Sequence, residues 1–420
     1  MAWGEAPAQA QAEPYSPPYE TFAEWCQSME KGLLSPQTRH TIEILLLQAG
    51  TKDCQAAHVF LSNQTRLRIW MAELYDIAPL SSLTHLREIS IRGNRFDDIR
   101  PLTNLTHLTT LDVMGNRITD ISPLSDLPNL TALNLAYNRI TNVDTLSSLT
   151  HLSDLDLSNN EIEDFSGLSE LTHLTHLSLS HNLAGDFSSL STLTNLTVLS
   201  LTHNSIEDFS SLSTFTNLTK LDLSYSGIQD LSPLSKLTNL EELILGYNEI
   251  TDISPLSTLT SLIELWMDGN QVSDLRPLSN LENLEYIRLV GNSVTDVSPI
   301  SNLENLTSLN LIGNQITDLS PLSSMTNLVG LALKGNGITD IRPLSTLINL
   351  SSISLDNNQI SDVEPLSTLT NLRNLFLTNN QLTTVESLSS LTNLELLVLK
   401  ENPLSDRTCP LEDDVCLFER

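Results

Sequence analysis

Three groups of side chains in this chain have types and spacing that chemistry could use. His176, His181 and His203 follow closely on Asp154 and Asp156, and these are the donor types from which zinc sites are built. No single set of four ligands stands out among them, so surface histidines are the expectation. Asp recurs at multiples of 22 residues in fourteen places, from Asp76, Asp98 and Asp120 to Asp406. Calcium would need several such oxygens converging on one ion, whereas a carboxylate at a turn accepts local backbone N–H bonds. Turn chemistry is therefore expected, and no metal. The third group is the cysteines: Cys26, Cys54, Cys409 and Cys416. No P-loop, GxSxG or HExxH motif occurs, and no Cys–His pairing falls within the recurring segments. A carboxylate ladder explained by turns gives no sign of hydrolysis. Neither an enzyme nor a cofactor is expected.

The elements that position these side chains follow from the same period. Asn stands at 94, 116, 138, 160, 182 and 204, then from 248 to 402 in steps of 22, with Ser226 in the one missing place. The register extends back to Ala72. About sixteen copies without insertion make one solenoid with capped ends, although 420 residues would ordinarily suggest two or three domains. In Leu309-Asn310-Leu311 the apolar residues alternate, predicting a short strand with two Leu inward. Gly313-Asn314 turns the chain, and Pro321 and its equivalents interrupt helix on the return path. Short 3₁₀ turns or extended chain are expected there. Stacked copies give an α/β repeat solenoid with a parallel sheet of about fifteen strands. A buried Asn carries donors and an acceptor together, so the Asn column can satisfy backbone groups of its own turn and the next.

The unit L-x-x-L-x-L-x-x-N-x-I-x-D-I-x-P-L-x-x-L-T-N resembles the 22-residue, internalin-type class of bacterial leucine-rich repeats over residues 64–407. The flanks, Phe22-Ala23-Glu24-Trp25-Cys26 through Cys54 and Cys409 through Cys416, are similar to those of cyanobacterial leucine-rich-repeat proteins. The resemblance implies a horseshoe or gently curved rod that binds protein ligands on its concave sheet, without catalysis. No LPxTG-like sorting signal and no cell-wall or immunoglobulin-like module follows the repeats, so host-cell invasion is not implied.

All four Cys lie outside the repeats, where a solenoid needs caps. Their placement as two separated pairs favours Cys26–Cys54 and Cys409–Cys416 among the three pairings; four free thiols in a cytosolic protein are the other reading. Residues 21–63 read as a helical cap. Ser35-Pro36 starts a helix that Gly50 stops, and Asp53 to Leu61 suggests a second. Residues 408–420 form the C-terminal cap. Residues 1–20 read as a flexible linker in which Ala8-Gln9-Ala10-Gln11-Ala12 looks like the end of a signal peptide, so the chain is expected to derive from a secreted precursor cut near Ala12. Extracytoplasmic location is expected, with cytoplasmic as the alternative. No stretch is apolar enough to span a bilayer.

Exposed strand positions are mostly small and polar, with one departure. Tyr225, Tyr247 with Ile244, Trp266, and Tyr286 with Val290 fall on four consecutive repeats. Strands about 4.8 Å apart would bring them into one patch, rimmed by charges such as Asp268 and Arg288. His85, His107, His151 and His173 share another column and are expected to face solvent. Phe165, Phe187 and Phe209 occupy inward positions in copies that lack the usual Pro, a packing variant. The expected function is non-catalytic recognition of a protein ligand by a monomer, with an intracellular scaffold or regulatory subunit and a glycan-binding surface protein as alternatives.

Net charge decides against other partners. With 51 acidic and 21 basic residues the chain carries −30. Removing the fourteen ladder Asp leaves 37 against 21, or −16, which still disfavours nucleic acid and anionic lipid.

Overall fold

The computed structural model describes residues 15–412 and 414–418. The Ala8–Ala12 run lies outside them. The chain divides into two compact units, Met1–Leu174 and Thr175–Arg420.

In the first unit three helices precede the repeats. α1 (Phe22–Glu30) opens with a reciprocal capping box in which Thr21 and Glu24 satisfy each other's backbone N–H groups. The sequence predicts two helices in this cap; α1 is a third, signalled by Thr21-x-x-Glu24. α2 (Pro36–Ala49) has Ser35 as its N-cap, Pro at its first position and Gly50 in the left-handed region at φ 67°. α3 (Cys54–Ser62) is capped by Asp53. The Thr38 hydroxyl donates to the Asp76 carboxylate and the Thr41 hydroxyl to the Asp76 carbonyl, which docks α2 on the first turn of the repeats.

Five strands follow: Arg66–Arg68, Glu88–Ser90, Thr110–Asp112, Ala132–Asn134 and Asp154–Asp156. They pair in parallel, each residue opposite the one 22 positions on, as in Leu67 with Ile89. The second unit continues in the same register from His176–Ser178 to Leu396–Val398, and Cys416–Leu417 pairs along the last of these. Each return path carries a 3₁₀ helix, Ser254–Thr258 for example, with Pro in its first turn. Leu and Ile from strand and return path meet inside and are essentially inaccessible to water.

Two columns of Asn hold the copies together. Asn270 is buried, and its Nδ2 donates to the carbonyls of Leu245 and Met267 at 2.9 and 3.0 Å. Its Oδ1 accepts from the backbone N–H of Asn248 and Ile250 at 3.2 and 2.9 Å. Ser226 replaces part of this, its hydroxyl donating to Leu223 O at 2.7 Å. The second column was not foreseen. Asn129, Asn283, Asn393 and their equivalents donate to a carbonyl 23 residues earlier on the exposed return path.

The Asp ladder does turn chemistry, as expected. Asp274 Oδ1 accepts from Arg276 N at 2.9 Å, and Asp318 Oδ1 from Ser320 N at 2.8 Å. At one exception Asn142 Oδ1 does the same for Asp144 N at 2.8 Å. Bonds from the Arg276 and Arg342 side chains hold the carboxyls of Asp274 and Asp340 down at about 2.

Two expectations need correction. His85 does not simply face solvent: its Nε2 lies 2.9 Å from the Leu61 carbonyl at the end of α3. Phe209 is half-buried rather than inward, while Phe165 and Phe187 are fully buried.

Disulfides join Cys26 to Cys54 and Cys409 to Cys416. The first ties α1 to α3 across 28 residues. Reducing it is expected to cost about 3 kcal/mol, and the shorter C-terminal loop less, because the cross-link restricts the unfolded chain. Urea unfolding of the wild type against Cys26→Ser/Cys54→Ser, with and without reductant, measures this. The double variant should match the reduced wild type at the N-terminal end.

Candidate ligand-binding face

The residue before each ladder Asn has a left-handed backbone throughout. Gly occupies the position at 93, 115, 269, 291, 313 and 335, and Asn at 159, 357 and 379. At four successive repeats it is instead a ring: His181, His203, Tyr225 and Tyr247, with φ of 55°, 52°, 54° and 60°; Tyr137 and Glu401 occupy it singly, at 55° and 57°. A bulky side chain there costs on the order of 1 kcal/mol.

The shared backbone conformation turns the four rings parallel. Centroids of His181 and His203 are 4.0 Å apart, those of His203 and Tyr225 4.3 Å, and those of Tyr225 and Tyr247 4.4 Å. Beyond Tyr247 the column ends on Gly269. A Cβ there would lie 2.4 Å from Tyr247 Cδ1, so the ring rests over a bare Cα. Tyr225 and Tyr247 are about half exposed.

Trp266 and Tyr286 sit in two other columns. Trp266 lies in register between Ile244 and Arg288, and Tyr286 between Glu264 and Ser308. Both are about 40% exposed. The Arg288 guanidinium stands 6.0 Å from the Trp266 ring centroid, within cation–π range, and pairs with Asp268.

Burial and the ring contact set the titration of His203. Its faces are covered although its edge is open, and this desolvation, with His181 beside it, lowers its pKa; Asp222 opposes the shift. A folded-state pKa below the ordinary imidazole value of 6.5 means that the unfolded chain binds the proton more readily. Stability is then full above about pH 6.5 and falls as pH drops through that value toward the folded pKa. An NMR titration should find His203 below 6.5, and above its wild-type value in His181→Ala. A midpoint at or above 6.5 would contradict the desolvation of His203 in the folded chain.

The family model described as "Leucine Rich repeats (2 copies)" matches ten windows running from 84–126 to 326–368, more than half of the chain. Among solved structures, an internalin (inlF) from Listeria monocytogenes is 34% identical, covers 75% of this chain and 94% of its own, and superposes with a TM-score of 0.70. This chain belongs to the internalin-type leucine-rich-repeat family. The functional domain of InlJ from the same organism is 25% identical over 78% of this chain and 70% of its own, with a TM-score of 0.63. That domain includes a cysteine ladder, whereas the cysteines of this internalin-type chain lie outside its repeats. A leucine-rich-repeat protein of Leptospira interrogans shares the fold at 24% identity and a TM-score of 0.65, over 83% of this chain and 92% of its own. No curated protein matches the sequence. Leucine-rich-repeat scaffolds are typically non-catalytic protein-binding modules.

In this internalin-type chain the structure rearranges the expected patch. Tyr225 and Tyr247 also stack with His203 and His181, which were not counted with the patch. The signal was in the sequence, since all four share one column, but His and Tyr were read as separate clusters. Asp268 was placed on an exposed rim; it is only 8% exposed, because it accepts from the Val290 N–H at 2.9 Å and from Arg288. It orients Arg288 over Trp266 rather than offering a free charge. Ile244 and Val290 are half-buried. Among the described residues no group of three or more His, Cys, Asp or Glu could hold a metal ion.

Proposed function

We propose that this internalin-type chain is a monomeric, non-catalytic, extracytoplasmic module that binds a protein ligand through the exposed strand face of the Thr175–Arg420 unit. Tyr225, Ile244, Tyr247, Trp266, Tyr286, Arg288 and Val290 make the contacts, and Asp268 positions Arg288. The observation that carries this reading is the run of rings at backbone positions suited to Gly or Asn. Bulky side chains kept at a conformational cost, half exposed, suit interface anchors. A glycan ligand is disfavoured by the same geometry. Sugars stack on ring faces, and the column hides its faces against each other, leaving edges and the Tyr hydroxyls for a protein surface.

Two disulfides favour an oxidising compartment over an intracellular scaffold. Mass spectrometry of the native protein should find no free thiol; four free thiols would overturn the extracytoplasmic reading. No helix among the described residues is long and apolar enough to cross a membrane.

Capture from native extract tests the face itself. A partner retained by the wild type should be lost with Tyr247→Ala/Trp266→Ala and kept with Ser257→Ala, on the exposed return path. Unchanged capture by a folded double variant would remove the face from consideration.

A further inference from the structure

The first strands of the Met1–Leu174 unit line an open groove of about 340 Å³. Three guanidinium groups line it. Two are engaged: Arg66 Nε lies 2.9 Å from Glu88 Oε2, and Arg92 pairs with Asp112. The third, Arg68, is exposed and has no side-chain hydrogen bond or ion pair among the described residues. Its strand is nevertheless fixed, since Gln48 of α2 donates to the Arg68 carbonyl.

The wall beside it is preorganised. Trp70 Nε1 donates to Ser90 Oγ at 2.8 Å, and Ser90 Oγ donates to Asp112 Oδ2 at 3.2 Å. Arg92 stands 5.9 Å from the Trp70 ring centroid. Trp70 remains 55% exposed and the neighbouring Met71 83%. The groove thus sets a half-exposed indole, held in place by Ser90, beside a guanidinium with no partner among the described residues.

We propose that this pocket binds an acidic peptide segment of a partner protein, with a Glu or Asp carboxylate on Arg68 and a neighbouring apolar side chain against Trp70. Three Arg against Glu88 and Asp112 leave the pocket at +1, in a chain whose net charge is −30. One carboxylate balances that charge. A phosphate dianion exceeds it and meets the two acids. The guanidinium fork matches a carboxylate in two parallel hydrogen bonds, while the indole supplies the apolar contact that separates a peptide from a bare anion. The groove is built from residues of the Met1–Leu174 unit alone, so the proposal does not depend on the strand face of the other unit.

The chain has four Trp, so indole N–H signals of the ¹⁵N-labelled full-length protein are few, and Trp70→Phe assigns the relevant one. The probes are acetyl-Phe-Gly-Glu-Gly-amide, its Gln analogue and inorganic phosphate, each titrated at constant ionic strength. The Glu peptide should shift the Trp70 indole signal saturably and the Gln peptide should not. Arg68→Gln should weaken the Glu peptide by about tenfold or more, with the other indole signals in place. Arg68→Lys, which keeps the charge but not the fork, should fall between. Equal shifts from both peptides would overturn the proposal, as would unchanged affinity in Arg68→Gln or phosphate binding more tightly than the Glu peptide.

Discussion

Asn270→Ala is expected to destabilise the Thr175–Arg420 unit by about 4–5 kcal/mol, among the largest effects available to one substitution outside the apolar core. The carboxamide serves five backbone groups. Its Nδ2 reaches the carbonyls of Leu245, Met267 and Asp268, and its Oδ1 receives the N–H groups of Asn248 and Ile250. Leu245 O keeps a second donor in Asn248 Nδ2 at 3.0 Å. The two N–H groups keep nothing and cannot reach water, and each orphaned buried donor costs about 1–3 kcal/mol. Lost bonds to the carbonyls and the small void bring the sum to the stated range. Asn283→Ala is the control. That Asn makes one bond, to Thr260 O at 2.9 Å, on the exposed path where water can replace it, so about 0.5–1 kcal/mol is expected. Repeat arrays need not unfold in one step, so urea unfolding should be paired with hydrogen exchange. The amides of Asn248 and Ile250 should lose protection first. Equal costs at Asn270 and Asn283 would mean that the buried ladder is not what couples the copies.

Tyr247→Ala with Trp266→Ala is expected to weaken binding of the captured protein by about 10³-fold, roughly 4 kcal/mol, if each anchor is worth about 2 kcal/mol as exposed aromatic hot spots are. Neither side chain belongs to the core, and stability should change by no more than about 1 kcal/mol. The two have different neighbours. Tyr247 stacks on Tyr225 and covers Gly269, whereas Trp266 faces Arg288. Tyr247→Gly separates ring from backbone, because Gly suits the φ of 60° at this position. It should lose affinity as Tyr247→Ala does, while being at least as stable. Calorimetric titration gives the affinities. A loss of less than about tenfold in the double variant would make this face peripheral.

The period carried most of the fold. Asn at steps of 22 fixed the register, the strand positions and the inward Leu columns, and Pro321 with its equivalents marked the return path. Cysteines paired by their placement alone. What escaped depends on direction in space rather than on spacing. His203 and Tyr225 share a column with Gly93 and Gly269; the Gly and Asn there hint at a left-handed backbone, but His and Tyr are not residues that signal it. Without that, parallel stacking of four rings could not be read. Asp268 looks like any exposed acid until Arg288 and the Val290 N–H are seen to hold it down. The return-path Asn, such as Asn283, resemble ordinary polar surface until the carbonyl of the preceding copy arrives beside them. Arg68 and Trp70 lie in the first copy, where Ala72 stands in the Asn column and the pattern is weakest.

The claim that the strand face is the ligand contact can be tested by placing a photo-crosslinker in the full chain. Benzoylphenylalanine is substituted at Tyr247 in one variant and at exposed Ser257 on the return path in the other, and each is irradiated in native extract. The account expects one predominant protein adduct from position 247 that is absent from position 257 and suppressed by unlabelled wild-type chain. Adducts of equal yield from both positions, or an adduct from position 257 alone, would contradict it.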